Sequence, residues 1–147
     1  MLKKIVITGG DGRFAQILKK DNKKLNILYP SKKELNVLNI NSINKYLKKN
    51  KPKYLIHAAA LSRPMSIHDK EISKSIDLNI IGTANIVKVC SDLKIKLIYF
   101  STGYVYEGKI GNYKEKDPVL PVNNYAWSKL GGECAVTMYK NSLILRI

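Results

Sequence analysis

The sequence predicts an α/β fold in which helices cover both faces of a mostly parallel, doubly wound sheet. Strand and helix signals alternate along the 147 residues, and chains with this pattern form parallel sheets with right-handed crossovers. The first strand signal runs directly into a glycine-containing turn, TGGDGRFA at residues 8–15, which a helical segment follows. Because ligands of such sheets bind at the carboxyl ends of the strands, we expect the functional residues at that edge.

The predicted strands are short, rich in β-branched residues and bounded mostly by glycine, proline or polar residues. They span residues 2–8, 25–29, 34–38, 53–57, 95–100 and 143–147, the last being the start of a sixth strand. Helical spacing of apolar residues predicts helices over residues 14–20, 41–50 with Asn41 as the cap, 66–93 and 123–139. Asn79 in the long third helix either holds that helix in place through a backbone contact or is merely polar.

A strand, a glycine turn and a helix in this order are typical of a site for the pyrophosphate of a dinucleotide. Small residues let the pyrophosphate approach the first helical turn, where backbone N–H groups are unpaired and positive. Two registers fit, Gly9-x-x-Gly12-x-x-Ala15 and Gly10-x-Gly12-x-x-Ala15, so the role of Gly10 is open. The alternative interpretation is a tight strand-to-helix turn that binds nothing.

Composition predicts a single globular domain in the cytoplasm, with 45% hydrophobic and 25% charged residues. No apolar run approaches the roughly 18 residues of a membrane span, and the run after Lys4 is too short for a signal peptide. The net charge is +15, but only three of the 26 basic residues are Arg, and no cluster forms. This pattern favours a solvated surface over nucleic-acid binding. His57 and His68 have no second ligand at metal spacing, so no metal site is predicted.

A tyrosine and a lysine one helical turn apart, Tyr125 and Lys129, give a second functional signal. Tyrosine in water has a pKa of about 10, and a nearby cationic lysine moves that pKa toward neutrality by stabilising the phenolate. The spacing alone carries no information, since residues 29 and 33 share it. Tyr125 differs because a predicted helix carries it and because the hydroxyls of Ser101-Thr102 end a strand one loop earlier. Such a hydroxyl can donate to a substrate carbonyl while the phenol supplies a proton.

Together these stretches resemble the extended short-chain dehydrogenase/reductase superfamily across the whole chain. The TGxxGxxG turn of that family resembles residues 8–15, with Ala15 in place of the last glycine. Its STDYVFDG and YxxxK segments resemble STGYVYEG at residues 101–108 and YAWSKLGGE at residues 125–133. Those two stretches are most similar to the dTDP-4-dehydrorhamnose reductase branch, whereas LNIIGTANIV at residues 78–87 looks more like the epimerase and dehydratase branches.

The resemblance implies an NAD(P)-binding domain of Rossmann type over residues 1–147. The adenine-side Asp of the family has its counterpart in Asn36, and its alanine-rich strand end resembles Ala58 to Ala60. The implied cofactor-binding residues are Gly9, Gly12, Arg13, Phe14, Asn36, Val37, Ala58, Ala59, Ala60, Tyr125 and Lys129. No acid ends the second strand to bind a ribose 2′-OH, and Arg13, Lys32 and Lys33 can meet a 2′-phosphate, which favours NADPH over NAD.

The resemblance also implies hydride transfer between a nicotinamide and a carbon of a nucleotide-linked sugar. In that chemistry Tyr125 protonates the alkoxide of a 4-keto sugar, Lys129 lowers the Tyr125 pKa and holds the nicotinamide ribose, and Thr102 orients the carbonyl. Thr102 aligns better with the catalytic position than Ser101. The alternatives are a nucleotide-sugar epimerase or dehydratase, and a non-catalytic dinucleotide-binding regulatory protein.

The family continues beyond LILRI at residues 143–147 with another strand and a smaller C-terminal domain that holds most substrate contacts. The chain is therefore expected to be the N-terminal part of such an enzyme, without the substrate domain. The resemblance further suggests a homodimer in which the helices that begin at Ser66 and Asn123 pair with those of a second copy.

Overall fold

The computed structural model describes residues 3–147, and its five strands form one sheet in the order β2-β1-β3-β4-β5. All four pairings are parallel, which confirms the predicted fold class. The strands are β1 (Ile5–Thr8), β2 (Ile27–Leu28), β3 (Tyr54–His57), β4 (Lys96–Ser101) and β5 (Ser142–Arg146). Because β2 and β3 lie on opposite sides of β1, the order in which strands are added to the sheet reverses at β1. The connections that follow β1 and β3 therefore lead in opposite directions, and a crevice opens between them at the carboxyl ends of the strands. Leu2, included in the predicted first strand, lies outside the described residues.

Six α-helices accompany the strands. They are α1 (Arg13–Asp21), α2 (Ile40–Asn50), α3 (Ile67–Lys70), α4 (Ile72–Ser75), α5 (Gly82–Asp92) and α6 (Asn124–Thr137). The side chain of Asn123 caps α6 by accepting a hydrogen bond from the Ala126 N–H at 2.8 Å. In α2 the cap is Asn39, which accepts from the Ser42 N–H at 3.0 Å, so the prediction of Asn41 as the cap was wrong by two residues.

The strand predicted over residues 34–38 does not form, and turns occupy this segment instead. The N–H of Leu35 donates to the carbonyl four residues earlier at 3.0 Å, and that of Leu38 donates to Asn36 Oδ1 at 3.0 Å. Local groups therefore satisfy a backbone that a strand would pair with a neighbour. Leu35 and Val37 are 3% and 5% exposed, so their alternation reflects two side chains that a turn inserts into the core.

The helix predicted over residues 66–93 is interrupted twice. Glu71, with φ −131° and ψ 61°, separates α3 from α4, and a π-helical segment, Ile76–Ile81, joins α4 to α5. Such segments are frequent at functional sites, and this one carries buried Asn79. The Asn79 amide accepts from the Leu61 N–H at 2.8 Å and donates to the Leu61 carbonyl at 2.9 Å. Of the two interpretations of Asn79, the backbone contact is thus confirmed.

The core lies between the sheet and helices α2, α5 and α6, and aliphatic side chains from both layers fill it. Its fully buried members are Val6, Ile43, Leu47, Leu55, Ile86, Val89, Cys90, Leu97, Tyr99 and Val136. Burying this apolar set fixes the strands relative to the helices, and so fixes the loops at the carboxyl edge. Within residues 3–147, no helix has the length and apolarity to cross a membrane.

Candidate active site

The glycine turn after β1 is held against the end of β3. Gly9 has φ +71°, a conformation that favours glycine, and a Cβ on it would lie 3.0 Å from Ala59 Cα. Gly12 is the N-cap of α1, and its N–H donates to the Gly9 carbonyl at 2.8 Å. The turn therefore keeps a side-chain-free surface beside the first turn of α1, as a bound pyrophosphate requires.

Gly10, whose role the sequence left open, packs the turn onto the segment that follows β2. A Cβ on Gly10 would lie 2.5 Å from the carbonyl oxygens of Tyr29 and Pro30. Its N–H donates to the Pro30 carbonyl at 3.1 Å. Of the two registers, the structure thus favours the one that begins at Gly9, with Gly10 serving the contact between chain segments.

A cleft of about 220 Å³ opens beside the turn and gathers much of the expected adenosine-side set. It is lined by Gly9, Asp11, Lys32, Leu35, Asn36, Val37, Ala59, Ala60 and Leu78. A second cleft of about 730 Å³ adjoins it and includes Lys32, Lys33 and Asn36. The structure therefore brings both lysines to the place where they were expected. Asp11, which sequence reasoning did not single out, lines both clefts.

Six of the expected cofactor residues do not line these two clefts, namely Gly12, Arg13, Phe14, Ala58, Tyr125 and Lys129. Arg13 and Phe14 begin α1, and both are exposed. The Phe14 ring packs edge-on against Phe100, with centroids 4.9 Å apart. Ala58 is held by its N–H, which donates to Thr8 Oγ1 at 3.2 Å. This hydrogen bond therefore holds the main chain that carries Ala59.

Thr102 and Tyr125 line one larger cleft, of about 970 Å³. The remaining lining residues are Ser62, Arg63, Pro64, Met65, Gly103, Tyr104 and Ile147. Thr102 Oγ1 accepts from the Tyr104 N–H at 3.3 Å, which leaves its own proton free to donate to a ligand. Ser101 is buried and does not line this cleft, so Thr102 is the better placed of the two hydroxyls.

Lys129 is buried one turn after Tyr125, and its ammonium lies 4.1 Å from the centre of the Tyr99 ring. Burial lowers the pKa of Lys129 to about 7, against the opposing effect of Glu133. The Glu133 carboxylate also pairs with the Arg146 guanidinium at 2.7 Å. Lys129 is thus poised between its charged and neutral forms near neutral pH.

The pKa of Tyr125 is raised, first by burial and then by the nearby Tyr104. The expectation that Lys129 lowers this pKa is therefore wrong for this structure. Loss of hydration dominates at the half-buried phenol, and the Lys129 ammonium faces a different ring. The phenol consequently stays protonated at neutral pH, which is the form that can donate a proton.

His68 is a site neighbour that sequence reasoning set aside. Its ring centroid lies 5.1 Å from that of Tyr125, and its Nδ1 lies 2.7 Å from Ser75 Oγ. Burial lowers the pKa of His68, so the ring that packs on Tyr125 is uncharged near neutral pH. No local sequence pattern marks this contact, because α3 and α6 are far apart in the chain.

His57 ends β3 and is enclosed by polar neighbours. Its Nδ1 lies 2.7 Å from Thr8 Oγ1, and its Nε2 lies 3.1 Å from Thr83 Oγ1. Burial, and secondarily the charge of Lys129, lower the pKa of His57 to about 3. Among the described residues, no three His, Cys, Asp or Glu side chains are grouped so that they could hold a metal ion.

Buried neutral His57 makes the stability depend on pH. The unfolded chain takes up a proton near pH 6.5, whereas the folded chain does so only near pH 3. The stabilisation is thus complete above pH 6.5 and decreases as the pH falls toward 3, by about 1.4 kcal/mol per pH unit. Urea unfolding of the wild type and His57→Gln at several pH values measures this slope. Equal slopes in the two proteins would contradict the assignment.

A protein family and several known proteins match this chain. Residues 3–147 match the family described as RmlD substrate binding domain. The chain is 30% identical over 148 residues to dTDP-4-dehydrorhamnose reductase from Aggregatibacter actinomycetemcomitans, which covers 97% of this chain and 50% of the relative. It is 27% identical over 143 residues to methionine adenosyltransferase 2 subunit beta from Pongo abelii, covering 91% of this chain and 42% of that relative.

Solved structures show the same similarity. The dTDP-4-dehydrorhamnose reductase from Bacillus anthracis, in complex with NADP, has a TM-score of 0.90 and 27% identity, covering 99% of this chain and 53% of that one. The enzyme of the same name from Yersinia enterocolitica has a TM-score of 0.83 and 29% identity, covering 98% and 52%. The chain thus spans about half the length of these relatives. Because the family match covers nearly every residue, the chain belongs to the RmlD substrate binding domain family.

Proposed function

We propose that this chain is the cofactor-binding and catalytic part of an NADPH-dependent reductase of a nucleotide-linked 4-keto sugar. The reaction is the reduction of dTDP-4-dehydrorhamnose to dTDP-rhamnose. The observation that carries the proposal is the pair of hydroxyl side chains, Thr102 and Tyr125, which line one cleft at the carboxyl edge of the sheet. Residues 1–147 are the NAD(P)-binding domain in this proposal, and a C-terminal substrate domain outside these residues completes the sugar-nucleotide site.

The residues at the carboxyl edge fit the cofactor. Gly9 and Gly12 would hold the pyrophosphate, since neither carries a side chain beside the first turn of α1. Asn36, Val37 and Ala60, which line the smaller cleft, would hold the adenosine. Lys32 and Lys33 favour NADPH, since they offer positive charge to a 2′-phosphate. The bound nicotinamide supplies the hydride for the reaction.

The side chains of this chain then position and protonate the substrate. Thr102 donates a hydrogen bond from its hydroxyl to the sugar carbonyl and so orients it. Tyr125, whose pKa is raised by burial, holds a proton at neutral pH and gives it to the carbonyl oxygen as negative charge develops there. Lys129, one helical turn after Tyr125, would bind the nicotinamide ribose.

The similarity to methionine adenosyltransferase 2 subunit beta supports a second candidate function, that of a binding subunit without catalytic activity. The presence of Thr102, Tyr125 and Lys129 together favours the reductase, because a protein that only binds a dinucleotide needs no proton donor beside an orienting hydroxyl. An epimerase or dehydratase would use the same three side chains. The reaction product distinguishes these possibilities, since only the reductase consumes NADPH in stoichiometric amounts with the sugar nucleotide.

The assembly and cellular location belong to the same proposal. Exposed apolar side chains on the α4, π-helical and α6 segments, among them Ile72, Ile76, Ile81 and Trp127, offer a face for a second copy. We place the homodimer interface on these helices and the reaction in the cytoplasm. Sedimentation equilibrium of the wild type and Ile76→Asp tests the dimer, and a wild type that stays monomeric at high concentration would exclude it.

The function is tested by following NADPH absorbance after the chain is mixed with dTDP-4-dehydrorhamnose, alone and with a separately supplied C-terminal half of a relative. Formation of dTDP-rhamnose matched to NADPH loss supports the proposal. NADPH binding without any product under both conditions would favour the binding subunit. Absence of NADPH binding would overturn the proposal altogether.

Gly12→Val is expected to remove NADPH binding while the fold persists. A Cβ on Gly12 would lie 3.0 Å from the Gly9 carbonyl, and the branched side chain would cover the first turn of α1 where the pyrophosphate approaches. Fluorescence titration with NADPH measures the loss. Ser91→Val, at an exposed position of α5, is the control that keeps the wild-type affinity. Unchanged titration of Gly12→Val would contradict the assignment of the turn.

A further inference from the structure

A continuous line of buried polar groups runs from the glycine turn to the helix that carries Tyr125. Its side chains share almost complete burial, being at most 4% exposed, and they are Thr8, His57, Thr83, Asn79 and Ser128. They come from β1, β3, the start of α5, the π-helical segment and α6. Residues far apart in the chain are thereby joined through hydrogen bonds inside the core.

The first half of the line fixes the direction of its protons. Thr8 Oγ1 accepts from the N–H groups of Ala58 and Ala59, at 3.2 and 3.1 Å. Since the hydroxyl has two acceptor lone pairs and one proton, its proton goes to His57 Nδ1, 2.7 Å away. His57 must therefore carry its own proton on Nε2, which donates to Thr83 Oγ1 at 3.1 Å.

The second half continues in the same direction. The Thr83 hydroxyl donates to the main-chain carbonyl of Asn79 at 2.8 Å, and the covalent frame of Asn79 joins that carbonyl to its side-chain amide. The side-chain amide of Asn79 donates to Ser128 Oγ at 2.8 Å, and the Ser128 hydroxyl donates to the Tyr125 carbonyl at 2.7 Å. Every hydroxyl in the line has one orientation that satisfies its neighbours, so the line has a single arrangement.

We propose that this line, defined here as the Thr8–Ser128 relay, sets the distance and angle between the cofactor turn and Tyr125, with His57 and Thr83 as positioning residues. The inference rests on the proposed function, since it concerns how a bound dinucleotide is held relative to Tyr125. Its physical basis is that breaking one hydrogen bond of the relay leaves a buried polar group on each side without a partner. Functional geometry tolerates displacements of only about 0.5 Å, so a loosened link weakens cofactor binding at a distance.

The charge state of His57 supports the same arrangement. The groups that face its ring are the hydroxyls of Thr8 and Thr83, the Tyr99 ring at 5.8 Å and the Lys129 ammonium, whose charge disfavours an imidazolium. A neutral ring with its proton on Nε2 is the only form that accepts from Thr8 and donates to Thr83 at once. The relay thus requires one tautomer and one charge state of His57.

The test uses two substitutions at Thr83, which lies outside all the clefts described above. Thr83→Val keeps the shape and removes the hydroxyl, whereas Thr83→Ser keeps the hydroxyl. We expect Thr83→Val to weaken NADPH binding by about tenfold and Thr83→Ser to restore it to within about twofold. Thr137→Val, at the exposed end of α6, is the matched control and leaves the affinity unchanged. Equal NADPH affinity of folded Thr83→Val and wild type would overturn the inference.

A second measurement does not depend on cofactor. The ring ¹⁵N shifts of His57 in the wild type at pH 7 are expected to report a neutral ring protonated on Nε2. An imidazolium or the Nδ1–H tautomer would overturn the relay. If the wild type fails to bind NADPH, the proposed function fails while the ring shifts still decide the relay. If Thr83→Val does not fold, Ser128→Ala removes the last link and takes its place in the titration, with unchanged affinity counting against the inference.

Discussion

Tyr125→Phe is expected to reduce turnover by about 10²- to 10⁴-fold, the range that a lost general acid produces, with NADPH affinity within a few-fold of wild type. The substitution removes only the phenolic oxygen. The ring contact with His68, with centroids 5.1 Å apart, is kept, as is the Tyr125 carbonyl that accepts from Ser128. The loss therefore falls on proton transfer to the sugar oxygen rather than on the position of α6.

The measurement is NADPH oxidation in the presence of dTDP-4-dehydrorhamnose under the conditions in which the wild type turns over. Tyr46→Phe removes the same oxygen from a residue of α2, distant from the cleft, and is expected to react at the wild-type rate. Because the pKa of Tyr125 is raised by burial and that of Lys129 is lowered to about 7, any change of wild-type turnover near pH 7 is expected to follow Lys129 and not the phenol. Undiminished turnover by Tyr125→Phe would remove Tyr125 from the proposed mechanism.

The regular part of the fold could be predicted because its signals are local. β1, β3 and β4 are continuous apolar runs, and the glycine turn follows directly from the first of them. The prediction of a strand at residues 34–38 was wrong, because the apolar residues Leu35 and Val37 occupy alternate positions for a different reason. A turn inserts both side chains into the core, and alternation alone does not distinguish an inserted turn from a strand.

The interruption of the long helix was missed for a related reason. The apolar residues from Ile72 to Cys90 keep near-helical spacing through the π-helical segment, so periodicity does not reveal it. Within this segment Asn79 bonds the Leu61 backbone, a contact that apolar spacing along the sequence does not indicate.

In the candidate site, the proximity of Thr102 and Tyr125 to one cleft could be predicted, because a strand end and a helix start position them. The electrostatics could not. The one-turn spacing of Tyr125 and Lys129 led to the expectation that Lys129 lowers the pKa of Tyr125. Spacing, however, gives neither the direction of a long side chain nor the hydration of the phenol. The Lys129 ammonium lies over Tyr99 instead, and burial dominates at Tyr125.

Two adjacent glycines in α6 show how closely this helix approaches the sheet and the π-helical segment. A Cβ on Gly132 would lie 2.5 Å from Tyr99 Oη and 2.7 Å from the Asn79 carbonyl oxygen. Neither neighbour can move easily, since Tyr99 is fully buried and its hydroxyl donates to the Lys129 carbonyl at 3.2 Å. A Cβ on Gly131 would instead meet the Ile80 side chain, 2.8 Å from Cδ1 and 2.9 Å from Cγ1.

Alanine at these two positions should therefore change the free energy of unfolding by different amounts. Both substitutions gain about 1 kcal/mol of helix propensity. Gly132→Ala forces α6 away from Tyr99 and Asn79 and is expected to destabilise the fold by about 1–3 kcal/mol net. Gly131→Ala is expected to stay within about 1 kcal/mol of wild type, because the Ile80 side chain can change rotamer. Urea unfolding followed by circular dichroism, with an unchanged m-value, gives both numbers. A Gly132→Ala protein as stable as Gly131→Ala would mean that α6 does not lie this close to the sheet, and the spacing between Tyr125 and the cofactor turn would then have another origin.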